Sequence, residues 1–197
     1  MKYLIVLLAP ILLAWPGSPS RATASTYSSA KSLLLPARSF PGRYHVLRTS
    51  VTYTVRAWDG GIAPVMAIDE RYGWMQGAEE DARDPAGRDV SISAQIFDTP
   101  SGARGDFGQF FTNSHPQSVY LPGTYWLGGT SVHGMGDRAT LYRIEDDSSR
   151  CPQHLTTGLS VAFRNAILSV QVCTLKTGKA QALQLGKLLL RHARSVH

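Results

Sequence analysis

The alternation of apolar and polar residues predicts where this chain forms strands. The clearest strand runs from Asp89 to Phe97. Its apolar positions share one face, and they are Val90, Ile92, Ala94 and Ile96. The residues between them are Ser91, Ser93 and Gln95, so one face packs against a core and the other is polar or wet. A second alternating run, residues 51–58, predicts a half-buried strand that ends at Asp59-Gly60-Gly61.

The same alternation later in the chain predicts neighbouring antiparallel strands. Residues 125–133 form a predicted strand with a bulge at Gly128-Gly129, and residues 139–145 form another. Residues 159–163 and 168–172 alternate on either side of a tight turn, which predicts a β-hairpin. The acidic, turn-rich segment 77–87 is typical of a solvated strand end and loop.

Three segments have the apolar spacing of helices. Residues 64–72 begin with a proline in the first turn, and Gly73 follows as a C-terminal cap. A second helix starts after Asp98 or Thr99, and its apolar residues are Ala103, Phe107, Phe110 and Phe111. Thr177 is positioned to cap a helix that extends to the C-terminus, with an apolar stripe of Ala182, Leu185, Leu189, Ala193 and Val196.

The predicted order of elements is strand, helix, strand, helix, three or four strands and a final helix. Strands joined by hairpins, with a few helices free to pack, predict an α+β fold: a largely antiparallel sheet with two or three helices packed on one face. The chain is long enough to bury the core of one domain. We therefore expect a flexible lead-in at residues 25–32 and a single α+β domain at residues 33–197.

The first 24 residues are typical of a cleavable secretion signal. Lys2 provides a positive charge, residues 3–15 are almost wholly apolar, and Ala22-Thr23-Ala24 has the small-x-small pattern that signal peptidase cleaves. The apolar run is shorter than the roughly 18 to 20 residues of a membrane-spanning helix. An uncleaved N-terminal anchor is the alternative. With no cysteine near the cleavage point for a lipid anchor, we expect a secreted or extracytoplasmic protein with no stable membrane span after cleavage.

The charge of the chain argues against one class of partner. The formal net charge is +6, and removal of the signal with Lys2 and Arg21 lowers it to about +4. Positive and negative residues are interleaved, without the basic face or stripe that is typical of nucleic-acid-binding proteins. We therefore predict no nucleic-acid partner.

The two cysteines, Cys151 and Cys173, are expected to form a disulfide. A single pair in an exported chain is more often joined than free. Two sulfurs without a C-x-x-C motif make a poor metal site. We predict no metal and no cofactor.

Short motifs in the chain resemble those of a loose group of bacterial proteins. They are Ala103-x-x-x-Phe107 after an alternating strand, Gly136-Asp137-x-Ala139 before a strand, and Phe163-Arg164-Asn165 in a hairpin. The group comprises small secreted proteins, lipoproteins and extracellular kinase sensor domains, and the resemblance spans most of residues 33–197. It implies a non-enzymatic sensing or binding domain at the cell surface. This chain departs from the group in lacking a lipobox cysteine and in having one cysteine pair.

The sequence contains none of the common catalytic motifs. It has no Gly-x-Ser-x-Gly nucleophile elbow, no His-Glu-x-x-His zinc motif and no Gly-x-x-x-x-Gly-Lys-Ser/Thr phosphate loop. His133 and Asp137, four residues apart beside glycines, could belong to a hydrolytic site together with a serine. The alternative is that Asp137 accepts backbone hydrogen bonds in a turn, as aspartate commonly does.

A run of acidic residues is a second candidate for chemistry. It consists of Glu79, Glu80, Asp81 and Asp84, which carry the oxygen ligands that calcium prefers. Their spacing matches no known calcium loop, and a charge run is usually a solvated face. We therefore expect no calcium site here.

A recognition surface is the remaining candidate site. Tyr120, Tyr125 and Trp126 lie in a stretch rich in aromatic residues and glycine, and exposed aromatics are frequent binding anchors. They could equally pack in the core beneath a loop. We predict an exported, non-enzymatic binding or sensing domain of the cell surface or extracytoplasmic space, with an unknown protein or a small envelope ligand as its partner. The alternatives are an envelope-acting hydrolase and a structural envelope-associated protein.

Overall fold

The computed structural model describes residues 26–42, 44–111, 124–146, 151, 155–173 and 178–196. Its strands are β1 (His45–Thr52), β2 (Trp74–Arg83), β3 (Asp89–Phe97), β4 (Thr124–Ser131), β5 (Arg138–Asp146), β6 (Leu155–Phe163) and β7 (Ala166–Cys173). Its α-helices are α1 (Val55–Trp58), α2 (Ala63–Arg71), α3 (Pro100–Phe110) and α4 (Gly178–Ser195). None of the helices in these ranges has the length and apolar character that crossing a bilayer requires. The predicted signal peptide, residues 1–24, lies outside the described residues.

The seven strands form one antiparallel sheet in the order β1-β2-β3-β7-β6-β5-β4. Strands β1 to β3 follow one another across one half of the sheet, and β4 to β7 follow one another across the other half. The two halves meet where β3 pairs with β7. The predicted α+β fold with a largely antiparallel sheet is therefore confirmed.

Helix α4 covers one face of this sheet, which we call the covered face. The side chains that β3, β6 and β7 direct to it are fully buried, and they include Ile92, Ile96, Leu159, Val161, Leu168 and Val170. They pack against the predicted apolar stripe of α4, of which Ala182, Leu185, Leu189 and Ala193 are buried. Gly186 permits this close packing, because a Cβ at that position would collide with the Leu159 side chain.

On the opposite face, which we call the open face, the helices among the described residues gather near the β6–β7 turn. Helices therefore pack on both faces of the sheet, whereas the sequence predicted them on one, because β3, β6 and β7 carry apolar residues on both faces near that turn. There α3 packs on the sheet in a small apolar cluster formed by Trp74, Phe97, Ala103, Phe107, Ala162 and Ile167. Trp58 of α1 and Tyr72 at the end of α2 pack against the same cluster. The rest of the open face consists mainly of polar side chains from the central strands.

Asn165 in the β6–β7 turn holds three segments together. Its side chain accepts a hydrogen bond from the Tyr27 backbone N–H at 2.7 Å. It donates to the carbonyl oxygens of Tyr27 at 3.1 Å and of Phe97 at 2.7 Å. The Tyr27 hydroxyl donates to the Ala193 carbonyl at 2.6 Å. Tyr27 and Ala30, which lie in the segment expected to be a flexible lead-in, are buried against the domain.

Two of the predicted elements differ from those in the structure. The strand predicted at residues 51–58 lies at His45–Thr52, and residues 55–58 form α1. The Thr54 hydroxyl accepts a hydrogen bond from the Ala57 N–H and caps this helix, which stops the strand. Residues 77–87, predicted as a solvated strand end and loop, contain more strand than expected, because β2 runs from Trp74 to Arg83.

Several other predictions are confirmed. β3 has the predicted bounds, and the hairpin appears as β6 and β7. The bulge predicted at Gly128-Gly129 is present as a register shift between Trp126 and Gly128. The disulfide between Cys151 and Cys173 is formed, with their Cα atoms 5.4 Å apart.

Candidate functional site

The central strands of the open face form a polar floor. In the antiparallel pair β3–β7, Ser93 lies opposite Ser169 and Ser91 lies opposite Gln171. Because alternate residues of a strand share a face, these side chains project away from the apolar residues beneath α4. With Gln95 they line a groove of about 430 Å³, which we call the open-face groove. Its other lining residues are Arg48, Ser50, Thr52, Ala57, Trp58, Glu79, Phe111 and Tyr142.

Aromatic rings stand on both sides of the open-face groove. Trp58 lies over β2 at Gly77, where a Cβ would collide with the indole ring. Tyr142 lies over β6 at Gly158 for the same reason. Glycine at these two strand positions therefore lets a ring lie against the sheet on each side of the β3–β7 floor. Phe111 packs on Tyr142, with ring centroids 5.5 Å apart, and completes the second side.

The charged side chains at the edge of the groove interact with one another. The Arg48 guanidinium lies 2.9 Å from the Asp81 carboxylate and 3.6 Å from that of Glu79. The Ser91 hydroxyl donates a hydrogen bond to Glu79 at 3.0 Å. Arg48 offsets one of these two carboxylates, and the floor itself consists of hydroxyl and amide groups.

A second cavity continues the groove toward the disulfide. It encloses about 360 Å³ and shares Glu79, Ser91 and Gln171 with the open-face groove. Cys151 and Cys173 belong to its lining. The two cavities follow β3 from position 95 back to position 89, which is about 20 Å at the usual rise of a strand. Together they are long enough for an extended ligand.

Three carboxyl groups meet where the helices that carry the groove walls come together. Asp59 follows Trp58 at the end of α1, Asp69 lies on α2 and Asp106 lies on α3. Asp69 and Asp106 are only 2% and 1% exposed. Within the described ranges, no lysine or arginine forms an ion pair with any of the three.

Burial in this carboxyl cluster raises the pKa of all three groups. For Asp59, burial and the neighbouring Asp69 raise the pKa to about 7. Burial also raises the pKa of Asp69, with a further contribution from Asp106. The pKa of Asp106 is raised mainly by burial, although its hydrogen bond with Asp69 works in the opposite direction. The cluster therefore holds protons near neutral pH, at a point where residues of α1, α2 and α3 come close together.

Two of the three predicted recognition residues, Tyr125 and Trp126, lie in the part of the chain that the structure describes. Tyr125 and Trp126 are consecutive on β4 and point to opposite faces of the sheet. Tyr125 is 48% exposed, whereas Trp126 is half-buried and stacks on Tyr142 with ring centroids 5.2 Å apart. Tyr120 lies outside the described residues. The role of these residues in binding stays a prediction.

His133 and Asp137 line another cavity of about 360 Å³, beside α3 and the β4–β5 turn. No hydrogen bond or ion pair joins the two side chains in the part of the chain that the structure describes. The Asp137 carboxylate instead accepts a hydrogen bond from the Arg164 backbone N–H at 3.2 Å and lies 3.8 Å from the Arg104 guanidinium. It therefore links the β4–β5 turn to the β6–β7 turn.

The acidic residues 79–84 are divided among separate environments. Glu80 and Asp81 point to opposite faces of β2. Asp84 lies in the following turn, where it accepts hydrogen bonds from the Arg88 backbone N–H at 2.9 Å and guanidinium at 2.6 Å. Among the described residues, no group of three or more His, Cys, Asp or Glu side chains is arranged to hold a metal ion.

The floor of the groove was only partly visible in the sequence. The alternation of β3 identified Ser91, Ser93 and Gln95 as a polar face, but nothing in it indicated a site. The missing information was the partner strand, because Ser169 and Gln171 join them only through long-range pairing. A usable signal was the composition of the middle of that face, where a central strand carries only hydroxyl and amide groups at Ser91, Ser93 and Gln95.

Comparison with known proteins identifies a shared fold. No protein-family model matches the chain, and no curated protein matches its sequence. Among solved structures, it is similar to the extracellular domain of PknH from Mycobacterium tuberculosis, with a TM-score of 0.51 and 9% sequence identity. The similarity covers 87% of this chain and 99% of that domain. It fits the resemblance of the sequence motifs to extracellular kinase sensor domains.

Proposed function

We propose that this protein is an exported, non-enzymatic binding domain that takes its ligand into the open-face groove. The observation that carries the proposal is the contrast between the polar floor and its aromatic sides in the middle of an otherwise well-packed sheet. Ligand sites typically are concave and a few hundred cubic ångströms in volume, with apolar and aromatic lining and a small number of oriented polar groups. The groove has this shape and volume and has aromatic sides, and its floor is more polar than that of most such sites.

Three observations support an extracytoplasmic location for this binding domain. The first 24 residues have the pattern of a secretion signal. The cysteines form a disulfide, which persists mainly in oxidising compartments. The fold is shared with a domain that is extracellular in its own protein.

A thermal-shift screen followed by mapping tests the proposal. The chain from Ser25 onward is screened against metals, envelope glycans, lipids and common metabolites, because a ligand of the folded state raises the melting temperature. We expect at least one saturable shift, and we expect that ligand to change the amide NMR signals of Ser93 and Ser169. Ser93→Trp, which fills the groove, abolishes the shift, whereas Thr130→Trp on the exposed edge strand β4 leaves it intact.

Two results would contradict the proposal. Ligands that shift the melting temperature but perturb only residues outside the groove would move the site elsewhere. No shift across the whole library would favour a protein partner or a structural role in the envelope. Pull-down from envelope extract, with Ser93→Trp as the comparison, would then distinguish these two roles.

A further inference from the structure

We infer that the ligand of the open-face groove is an uncharged, polyhydroxylated chain: a neutral oligosaccharide that lies along β3 and β7. This inference rests on the proposed function, and it names the chemical class of the ligand. It is drawn from the hydrogen-bonding groups of the floor, the rings at its sides, the charge of its rim and its length.

The floor offers hydrogen bonds that the protein itself does not use. Ser93 and Gln95 are half-buried, and neither side chain has a partner among the described residues. Ser169 shares a hydrogen bond with the Ser160 hydroxyl at 2.7 Å, and the Gln171 amide donates one to the Tyr142 hydroxyl at 3.3 Å. A hydroxyl both donates and accepts, and an amide does the same through its two ends. A ligand made of hydroxyl groups matches this mixture, because each of its groups can also donate and accept.

The sides of the groove suit the flat, C–H-bearing face of a sugar ring. Trp58 is half-buried and forms one side, and Phe111 forms part of the other. Gly77 keeps the indole against the sheet, so that the ring is held in place before a ligand arrives. Rigid aromatic surfaces contribute apolar contact at low cost in conformational entropy.

The charges around the two cavities argue against an anionic ligand. Arg48 is already engaged by Glu79 and Asp81, and the Arg83 guanidinium lies 2.9 Å from Asp89. An anionic ligand would have to compete with these carboxylates for each arginine. A neutral ligand leaves both pairs undisturbed, and hydroxyl and amide side chains bind it without the desolvation of an ion.

The length of the two joined cavities favours a chain over a single sugar. They share Glu79, Ser91 and Gln171 and extend for about 20 Å along β3. Several sugar units would be needed to occupy this distance. We therefore expect a tetrasaccharide to bind at least tenfold more tightly than its monosaccharide.

Isothermal titration calorimetry on the secreted protein with its disulfide intact tests the inference. The neutral probes are cellotetraose, maltotetraose, mannotetraose and tetra-N-acetylchitotetraose. The comparison probes are tetragalacturonate, which has similar shape but carries carboxylates, and tetra-alanine, which is an extended peptide. We expect at least one neutral tetrasaccharide to bind and neither comparison probe to compete with it.

Matched variants locate the binding in the groove. Trp58→Ala is expected to weaken binding by at least tenfold, and Ser93→Val by about tenfold, as expected for one lost hydrogen bond of about 1.4 kcal/mol. Tyr53→Ala removes an aromatic ring that is 71% exposed and outside the groove, and it should leave the affinity unchanged. If Trp58→Ala lowers the melting temperature, Ser93→Val and Gln95→Leu give the same test without removing a wall.

The possible failures can be separated. Binding of tetragalacturonate or tetra-alanine in the groove, without any neutral saccharide, would overturn the ligand class but leave the proposed function standing. Saccharide binding that is insensitive to both Trp58→Ala and Ser93→Val would overturn the assignment to this groove. Absence of binding by all the neutral probes would overturn the inference, and the library screen would then decide the proposed function separately.

Discussion

The two faces of the sheet are built from the same strands but differ in the polarity and burial of their side chains. On the covered face, Ile92 is fully buried in a large apolar core with α4. One residue later, Ser93 projects from the open face into a groove, half-buried and without a protein partner among the described residues. The difference teaches that a buried core position and the floor of the proposed binding groove are separated here by a single peptide unit. One face contributes most of the apolar burial, which leaves the other free to carry polar groups that the fold does not need.

Substitution of neighbouring residues on β3 should give the largest contrast between the faces. Ile92→Ala leaves a cavity beneath α4 and is expected to cost about 3 kcal/mol of unfolding free energy. That corresponds to a melting temperature lower by about 9 °C for a domain of this size. Ser93→Ala removes a hydroxyl without a partner and should change stability by less than about 0.5 kcal/mol. Urea denaturation of the two variants measures both values.

For ligand affinity, once a ligand is known, the two substitutions should have the opposite order of effect. Ser93→Ala should weaken it, and Ile92→Ala should leave it intact at temperatures where the protein stays folded. Equal destabilisation by the two substitutions would mean that the open face is part of the stabilising core. The separation of roles between the faces would then be wrong.

Removing the disulfide between Cys151 and Cys173 tests how much the stability of the protein depends on this covalent link at the far end of the open face. Cys151 and Cys173 enclose a loop of 22 residues, and loss of such a link is expected to cost about 3 kcal/mol at most. Cys151→Ser combined with Cys173→Ser should therefore lower the melting temperature, and reduction of the native protein should have the same effect. Equal melting of oxidised and reduced protein would contradict a stabilising role.

A smaller effect is expected from the carboxyl cluster, which should make the stability of the open-face helices depend on pH. Asp59, Asp69 and Asp106 have a raised pKa in the folded protein and a pKa near 4 in the unfolded chain. The folded state thus binds more protons between about pH 4 and pH 7, and its stability falls as the pH rises through this window and beyond. Asp69→Asn should reduce the loss of melting temperature between pH 5 and pH 8.

A control on the covered face isolates this pH effect. Leu185→Ala destabilises the protein without touching a carboxyl group, so its melting temperature should change with pH as that of the native chain does. If Asp69→Asn also leaves the pH dependence unchanged, the cluster does not retain protons in the folded state. Ionisation at high pH would place like charges between α1, α2 and α3, which hold the groove walls.

The sequence predicted those elements in which one side is apolar and the other polar. β3 is the best example, because Val90, Ile92, Ala94 and Ile96 face α4 throughout the strand. β1 lacks this signal because it is an edge strand, and most of its residues are exposed. The alternation that predicted a strand at residues 51–58 extends over residues that form α1. There the Thr54 cap favours a helix over the strand that the alternation indicates.

Most of β2 was missed because its charges suggested a solvated segment. In the structure these acidic side chains have partners on the neighbouring strand: Arg48 forms an ion pair with Asp81, and the Thr49 hydroxyl donates a hydrogen bond to Glu80 at 3.2 Å. Local sequence cannot reveal such pairs, since they depend on which strand lies alongside. The candidate site has the same limitation, because Trp58, Ser93 and Ser169 come from three separate parts of the chain.

The groove floor also has a consequence for how the protein folds. It lies on the seam between β1–β3 and β4–β7, two blocks whose internal pairings join strands that follow one another in the chain. Contacts between residues distant in sequence are slow to form, so the seam is expected to close late in folding. A chain in which both blocks have folded but not yet docked has no recognition surface. Under the proposed function, binding would therefore report completion of the whole sheet, and a ligand that spans β3 and β7 would stabilise the seam against opening.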